Sequence, residues 1–351
     1  MKGRGTSYNP NNRFIKNHYE KDNEYLEFCR WEDEPDNDTK TEYLEIFPKT
    51  IINKVESPDI GAEYSINPYQ GCEHGCVYCY ARGTHEYWGY SAGLDFERKI
   101  LVKKKAPKLL IKELSKKTYV PKMIMISGNT DCYQPIENKL NITRQILEIC
   151  YNYRNPVGII TKNSLLLRDL DILTKLNDKN LLRITLSITS LCEKTRRKLE
   201  PRTSSIKNKL QALKILSENG IAVNVNLAPI IPCINEHEIV DLVKTVAEYG
   251  AKSVMYILVR LNGHNGDLFT EWLEQYFPDR KEKVLNAIKA CREGKLSENR
   301  FGIRMTGSGK RADEIKNVFS LAKNKFMPDF NYPQLNFNDF RNFSDRQLNL
   351  F

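Results

Sequence analysis

Long apolar runs are missing from this chain: within its 351 residues no stretch approaches the roughly 18 that a membrane span requires. Its first residues, Met1-Lys2-Gly3-Arg4-Gly5, are polar, so the apolar segment of a secretory leader is lacking as well. Both absences lead us to expect a cytoplasmic protein with no membrane partner. No segment repeats another at a fixed period. A phosphate loop is lacking too, because Arg304-Met305-Thr306-Gly307-Ser308-Gly309-Lys310 has no glycine at the required spacing before Gly309, and Arg311 follows the lysine. That stretch reads as a turn. An even cysteine framework is also missing, since there are nine cysteines and disulfides are rare in a reducing compartment.

What is present is a chain with 40% hydrophobic residues, long enough for a large buried core. The net charge of +10 is unevenly spread. Acidic residues gather at 20–45 and basic ones at 98–117, with a second basic cluster at Lys194, Arg196, Arg197, Lys198 and Arg202. Basic runs bind phosphate backbones, but they also serve as solvated helix faces.

Residues 1–60 are polar with little periodicity and read as an irregular arm. From about 64 onward, β-rich runs at 64–67, 123–127, 157–161, 183–189, 222–229 and 253–261 alternate with helical stretches. The helical stretches fall at 106–117, 143–154, 167–176, 204–219 and 236–250, with a further one at 279–291. Gly220 follows the fourth as a C-terminal cap. Six β/α units predict a doubly wound sheet or a partial (β/α) barrel, and pattern alone leaves both open. In either, ligands sit beyond the C-terminal ends of the strands. The expected division is an arm at 1–60, the β/α body at 61–290, an extension packed on it at 291–325 and a flexible tail at 326–351.

Six cysteines are scattered, but Cys72, Cys76 and Cys79 lie within eight residues, in Asn67-Pro68-Tyr69-Gln70-Gly71-Cys72-Glu73-His74-Gly75-Cys76-Val77-Tyr78-Cys79. Thiolates ligate soft metals, and glycines at 71 and 75 let the loop fold tightly enough for three sulfurs to converge. Three ligands cannot complete a four-iron cluster, so one iron is left for a non-protein ligand. A zinc site completed by His74 or His85 is the alternative, although the spacing matches no common zinc motif. Three buried apolar cysteines are another.

This C-x3-C-x2-C pattern, with Tyr78 before the last cysteine, resembles the radical S-adenosylmethionine (SAM) signature. The longer segments resemble a branch related to spore photoproduct lyase. Among them are Ser57-Pro58-Asp59-Ile60-Gly61, Gly93-Leu94-Asp95-Phe96-Glu97, Asn129-Thr130-Asp131, Tyr133-Gln134-Pro135-Ile136-Glu137 and Leu199-Glu200-Pro201-Arg202. The resemblance implies a partial (β/α)6 barrel with a [4Fe–4S] cluster on Cys72, Cys76 and Cys79. It also implies SAM at the open iron, radical chemistry on a substrate such as a DNA lesion, and an electron donor such as flavodoxin or ferredoxin. RNA, protein or a small molecule remain alternative substrates, and a non-catalytic iron–sulfur protein remains an alternative function.

On that barrel the SAM-binding candidates are Tyr78, Gly128, Asn129, Asp131, Thr161, Ser187 and Arg202, with Arg260 as a second partner for the carboxylate. Asn-Thr-Asp is also an ordinary turn. Cys132, Cys192 and Cys233 each follow a strand run, and lone cysteines are usually buried apolar residues. The chain closes Gln347-Leu348-Asn349-Leu350-Phe351, which resembles the bacterial sliding-clamp-binding pentapeptide. In it, Leu348, Leu350 and Phe351 are apolar anchors and Gln347 supplies orienting hydrogen bonds.

Overall fold

A computed structural model describes residues 3–15 and 40–343. The six β-rich runs all become strands of one sheet. In chain order the strands are β1 (Glu42–Glu45), β2 (Asn53–Lys54), β3 (Tyr64–Ile66), β4 (Tyr69–Gln70), β5 (Lys99–Val102), β6 (Ile124–Ile126), β7 (Val157–Thr161), β8 (Leu182–Ser187), β9 (Val223–Ile230) and β10 (Ser253–Leu258). The large sheet has the order β10-β9-β8-β7-β6-β3-β2. Every pair from β3 to β10 is parallel, and β2 caps the edge antiparallel to β3.

This order settles the choice that periodicity left open. A doubly wound sheet reverses its strand order at a switch point, whereas here each parallel strand neighbours the next in sequence, so the winding never reverses. One sheet face carries Ile124, Ile126, Val157, Ile159, Ile184, Leu186, Val223 and Val225, all buried in the main apolar core. The alternating positions carry Thr185, Ser187, Asn224 and Asn226, which the period of two places on the inner face. The architecture is the partial (β/α)6 barrel.

The expected helices form at Ala106–Leu114, Ile142–Tyr153, Leu170–Asn177, Ile206–Glu218, Ile239–Glu248 and Lys281–Ala290. Gly220 closes the fourth with φ +71°. Helices at Glu193–Leu199, Asn265–Tyr276 and Lys310–Phe326 complete the body and its extension. The last buries Ala312, Ile315, Phe319 and Ala322, with Phe319 4.6 Å from the Tyr256 ring.

Two loops bridge the open side of the barrel. Asp59 accepts from Gly302 N (2.9 Å) and Arg304 Nε (2.6 Å), and Arg304 also donates to Ser57. Residues 329–343, expected within a flexible tail, have no helix or strand but are anchored. Tyr332 reaches Ser253 (3.0 Å), Asn336 N donates to Asn180 O (2.9 Å), and Arg341 N donates to Tyr153 O (2.8 Å). These partners lie at or just before strand starts, so the segment crosses the barrel end opposite the ligand end. No helix among the described residues is long and apolar enough to cross a membrane.

Candidate active site

β3 ends at Ile66, and the short β4 then delivers the chain to Gly71, so the three cysteines lie beyond the C-terminal end of the first barrel strand. A small sheet of order β1-β5-β4 flanks the loop. Gly71 and Gly75 have φ of +79° and +66°. A Cβ at Gly71 would stand 2.9 Å from Lys99 O, and one at Gly75 would stand 2.7 Å from Glu97 Oε2. Both positions therefore require glycine in conformation and in space.

Beneath the loop, the fully buried Arg82 donates from Nε to Cys76 O (3.0 Å) and pairs with Glu97 Oε1 at 2.5 Å. Glu97 also accepts from Gly5 N (2.9 Å) and Thr6 N (3.2 Å). The N-terminal residues thereby become part of the cysteine loop's support.

His74 is committed on both sides. Its Nδ1 lies 3.3 Å from Asp131 Oδ2, and its Nε2 lies 3.2 Å from Asn163 Nδ2. The network fits an Nδ1–H tautomer that accepts at Nε2 from the asparagine amide, which leaves no nitrogen for a metal. His85 is buried with its ring edge-on to Phe96 at 5.7 Å. Among the described residues no three His, Cys, Asp or Glu side chains are gathered tightly enough for one metal ion.

The donor chemistry suits an iron–sulfur cluster. Burial raises the pKa of Cys72, Cys76 and Cys79, so each thiol keeps its proton unless a metal displaces it. Three soft donors in one buried loop, with the nearest histidine occupied, match a cluster that keeps one open iron.

A charged network that the sequence did not announce lies beside Cys76. Glu200 is fully buried and accepts from the hydroxyls of Tyr78 and Thr189 and from Lys209 Nζ (2.9 Å), while Lys162 Nζ is 3.7 Å away. Burial opposes charge on Glu200, yet the two lysines hold its carboxyl well below the usual range. Burial likewise opposes charge on Lys162, but Glu200 and Cys76 raise its pKa. Glu200 lies in the Leu-Glu-Pro-Arg segment, which was the one available signal; Lys209 carried none.

The other expected residues divide into two groups. Gly128, Asn129 and Ser187 face the strand mouths: Gly128 O accepts from Tyr80 OH (2.6 Å), and Asn129 Nδ2 donates to Thr84 Oγ1 (3.1 Å). Asp131 and Thr161 are joined instead, with Thr161 Oγ1 donating to Asp131 Oδ1 at 2.7 Å and Lys162 N to Oδ2 at 2.8 Å. Burial alone would raise the Asp131 pKa, but His74 and the backbone N–H groups of Lys162 and Tyr133 lower it. Tyr78 turns its hydroxyl to Glu200, with Lys162 Nζ 5.8 Å from its ring centroid. Arg202 N donates to His74 O (3.2 Å), and its guanidinium lies 3.8 Å from Glu73.

Cys132 is fully buried, Cys233 half-buried and Cys192 exposed. A hydrogen bond from the Thr195 hydroxyl is the main cause of the lowered Cys192 pKa. The clamp-like residues Gln347, Leu348, Leu350 and Phe351 lie outside the described residues.

Comparison with known proteins bears on the family and the fold. The radical SAM superfamily model matches residues 66–246. The uncharacterised protein MJ0683 of Methanocaldococcus jannaschii is 31% identical over 248 residues, 71% of this chain and 88% of that protein. The uncharacterised protein Rv2578c of Mycobacterium tuberculosis is 28% identical over 242 residues, 68% of this chain and 71% of its own length. Among solved structures, spore photoproduct lyase complexed with dinucleoside spore photoproduct superposes with a TM-score of 0.59 at 20% identity, covering 82% of this chain and 80% of that one. A variant of that lyase with bound AdoMet and the same photoproduct gives 0.58 at 19% identity, covering 81% and 79%. With the family model spanning more than half the chain and the cysteine loop at the mouth of the matching barrel, the protein belongs to the radical SAM superfamily.

Proposed function

We propose that Cys72, Cys76 and Cys79 hold a [4Fe–4S] cluster, that SAM binds beside them, and that the chain performs radical chemistry on nucleic acid, repairing or modifying a DNA lesion. The carrying observation is the loop itself: three thiols at the strand mouths, Cys72 and Cys76 buried and Cys79 half-buried, with His74 already engaged by Asp131 and Asn163. Such a cluster, when bound, delivers the electron that splits SAM into methionine and a hydrogen-abstracting 5′-deoxyadenosyl radical.

The protein's part is to hold and orient. Gly128, Asn129 and Ser187 are the residues we assign to SAM. Tyr78 joins them from the cysteine loop, fixed by Glu200. Asp131 and Thr161 act at one remove, because their hydrogen bonds go to His74, to Lys162 and to each other. Arg202 braces the loop through His74 O and Glu73. The nucleic-acid half of the proposal is supported by the basic stretches and by the lyase likeness in fold.

Anaerobic reconstitution with iron and sulfide, followed by reduction in the presence of SAM, tests the chemistry. The expected product is 5′-deoxyadenosine, lost in Cys72→Ala, Cys76→Ala and Cys79→Ala. An intact, reduced cluster that yields none, with damaged DNA present or absent, would overturn the catalytic reading.

A further inference from the structure

Arg260 follows β10 at the ligand end of the barrel and is half-buried. Among the described residues its guanidinium has neither a hydrogen bond nor a salt bridge. Its neighbours are the Tyr80 ring, with the centroid 5.6 Å from Cζ, and Arg304. Burial first, and then the like charge of Arg304, lower the Arg260 pKa. The nearby carboxylate, Asp59, is already taken by Arg304 Nε at 2.6 Å and Gly302 N at 2.9 Å. A guanidinium carries five donors, and withdrawing them from water without an acceptor is unfavourable. The place therefore calls for an anion.

Two aromatic rings flank these arginines. Tyr80 is 47% exposed and Phe301 is 55% exposed, and Arg304 Cζ lies 4.6 Å from the Phe301 centroid. Tyr80 directly follows Cys79, and its hydroxyl is fixed on Gly128 O, so the ring stands at the rim of the proposed active site. Neighbouring guanidinium groups with flat, exposed rings on both sides are the combination that binds single-stranded nucleic acid, with phosphates on the cations and bases stacked on the rings. In an intact duplex the base faces are hidden, so such rings favour unpaired nucleotides.

We propose that Tyr80, Arg260, Arg304 and Phe301 form a binding face for unpaired nucleotides, with a backbone phosphate on Arg260 and bases against Tyr80 and Phe301. This rests on the nucleic-acid reading above and narrows it to single-stranded or locally opened substrate. An acidic peptide is the competing occupant, and it would satisfy the arginines without needing the rings.

The test is fluorescence anisotropy on the reconstituted full chain, using a labelled single-stranded oligonucleotide, its duplex and a poly-glutamate peptide. The single strand is expected to bind more tightly than the other two. Phe301→Leu should weaken it about tenfold. Arg260→Gln should weaken it and make the salt dependence shallower by about one counterion, while Arg260→Lys restores the slope. Because Phe301 is a surface residue, its variant reads the face without disturbing the core. Single-strand binding unchanged in both Phe301→Leu and Arg260→Gln would overturn the inference, and so would preferential binding of the peptide. Production of 5′-deoxyadenosine is read separately, so loss of the chemistry and loss of this face are distinguishable.

Discussion

Lys209 is buried against Glu200, its Nζ 2.9 Å from Oε2, and both side chains are almost wholly shielded from water. Removing one partner of such a pair leaves a charge in a medium that cannot solvate it. Lys209→Met is therefore expected to destabilise the fold by about 3 kcal/mol in urea unfolding. Glu200 would keep Lys162, at 3.7 Å, as its remaining cation. His85 gives a second prediction at this scale. Burial lowers its pKa from 6.5 to about 4, so the folded protein holds it neutral where the unfolded chain would already be protonated. Unfolding then takes up a proton, and stability falls as pH drops from about 6.5 towards 4, by up to about 3 kcal/mol from this group. His85→Phe should flatten that part of the acid limb, read as urea midpoints across the window. An unchanged slope would show that the imidazole is not buried neutral. The sequence offered His85 only as a possible metal ligand and did not mark Lys209, because burial is decided by packing: His85 stands edge-on to Phe96, and Lys209 pairs with a glutamate nine positions earlier.

At the scale of elements, the six strands of the barrel were legible because each is a short β-rich run, and β7 matches its run residue for residue; β1, β2, β4 and β5 are too short or too polar to show one. Strand order and the helices at Glu193–Leu199 and Lys310–Phe326 were not legible, since winding is a tertiary property and a charged surface helix shows little periodicity. The N-terminal segment reads as an irregular polar arm laid over something else, and no local pattern says what it covers. Gly5 lies so close to the cysteine loop that an added Cβ would stand 1.7 Å from Gly75 O. Gly5→Ala must therefore move backbone on one side or the other. We expect a loss of about 1–3 kcal/mol in urea unfolding, from strain and from the hydrogen bonds to Glu97. The reconstituted variant should also release iron faster to a chelator than the unaltered chain. An unchanged chelation rate would mean that the segment covers the loop without supporting it.

For the whole molecule, the barrel has a ligand end, a closed end and an open side, each finished by chain from outside the six β/α units. The ligand end carries the cysteine loop, the one part of the site that spacing alone could reveal, because three thiols within eight residues are a local pattern. The open side is bridged by Asp59, whose acceptors hold Gly302 N and Arg304 Nε from a segment more than 240 positions away. No local pattern marks that contact, although Asp59 lies in a segment that the family resemblance had picked out. The two hydrogen bonds are expected to differ in worth. The Arg304 bond is charge-assisted at both ends, and such bonds contribute roughly 1.5–3 kcal/mol. Asp59→Asn keeps the shape and an acceptor but removes the charge, so the bridge should open more often while the barrel stays folded. Hydrogen exchange should then speed up at residues 57–61 and 300–306, with protection in β7, β8 and β9 unchanged. If exchange rose across all strands instead, the bridge would be part of the global fold, and the barrel's side would be held closed by the same cooperative unit as its core.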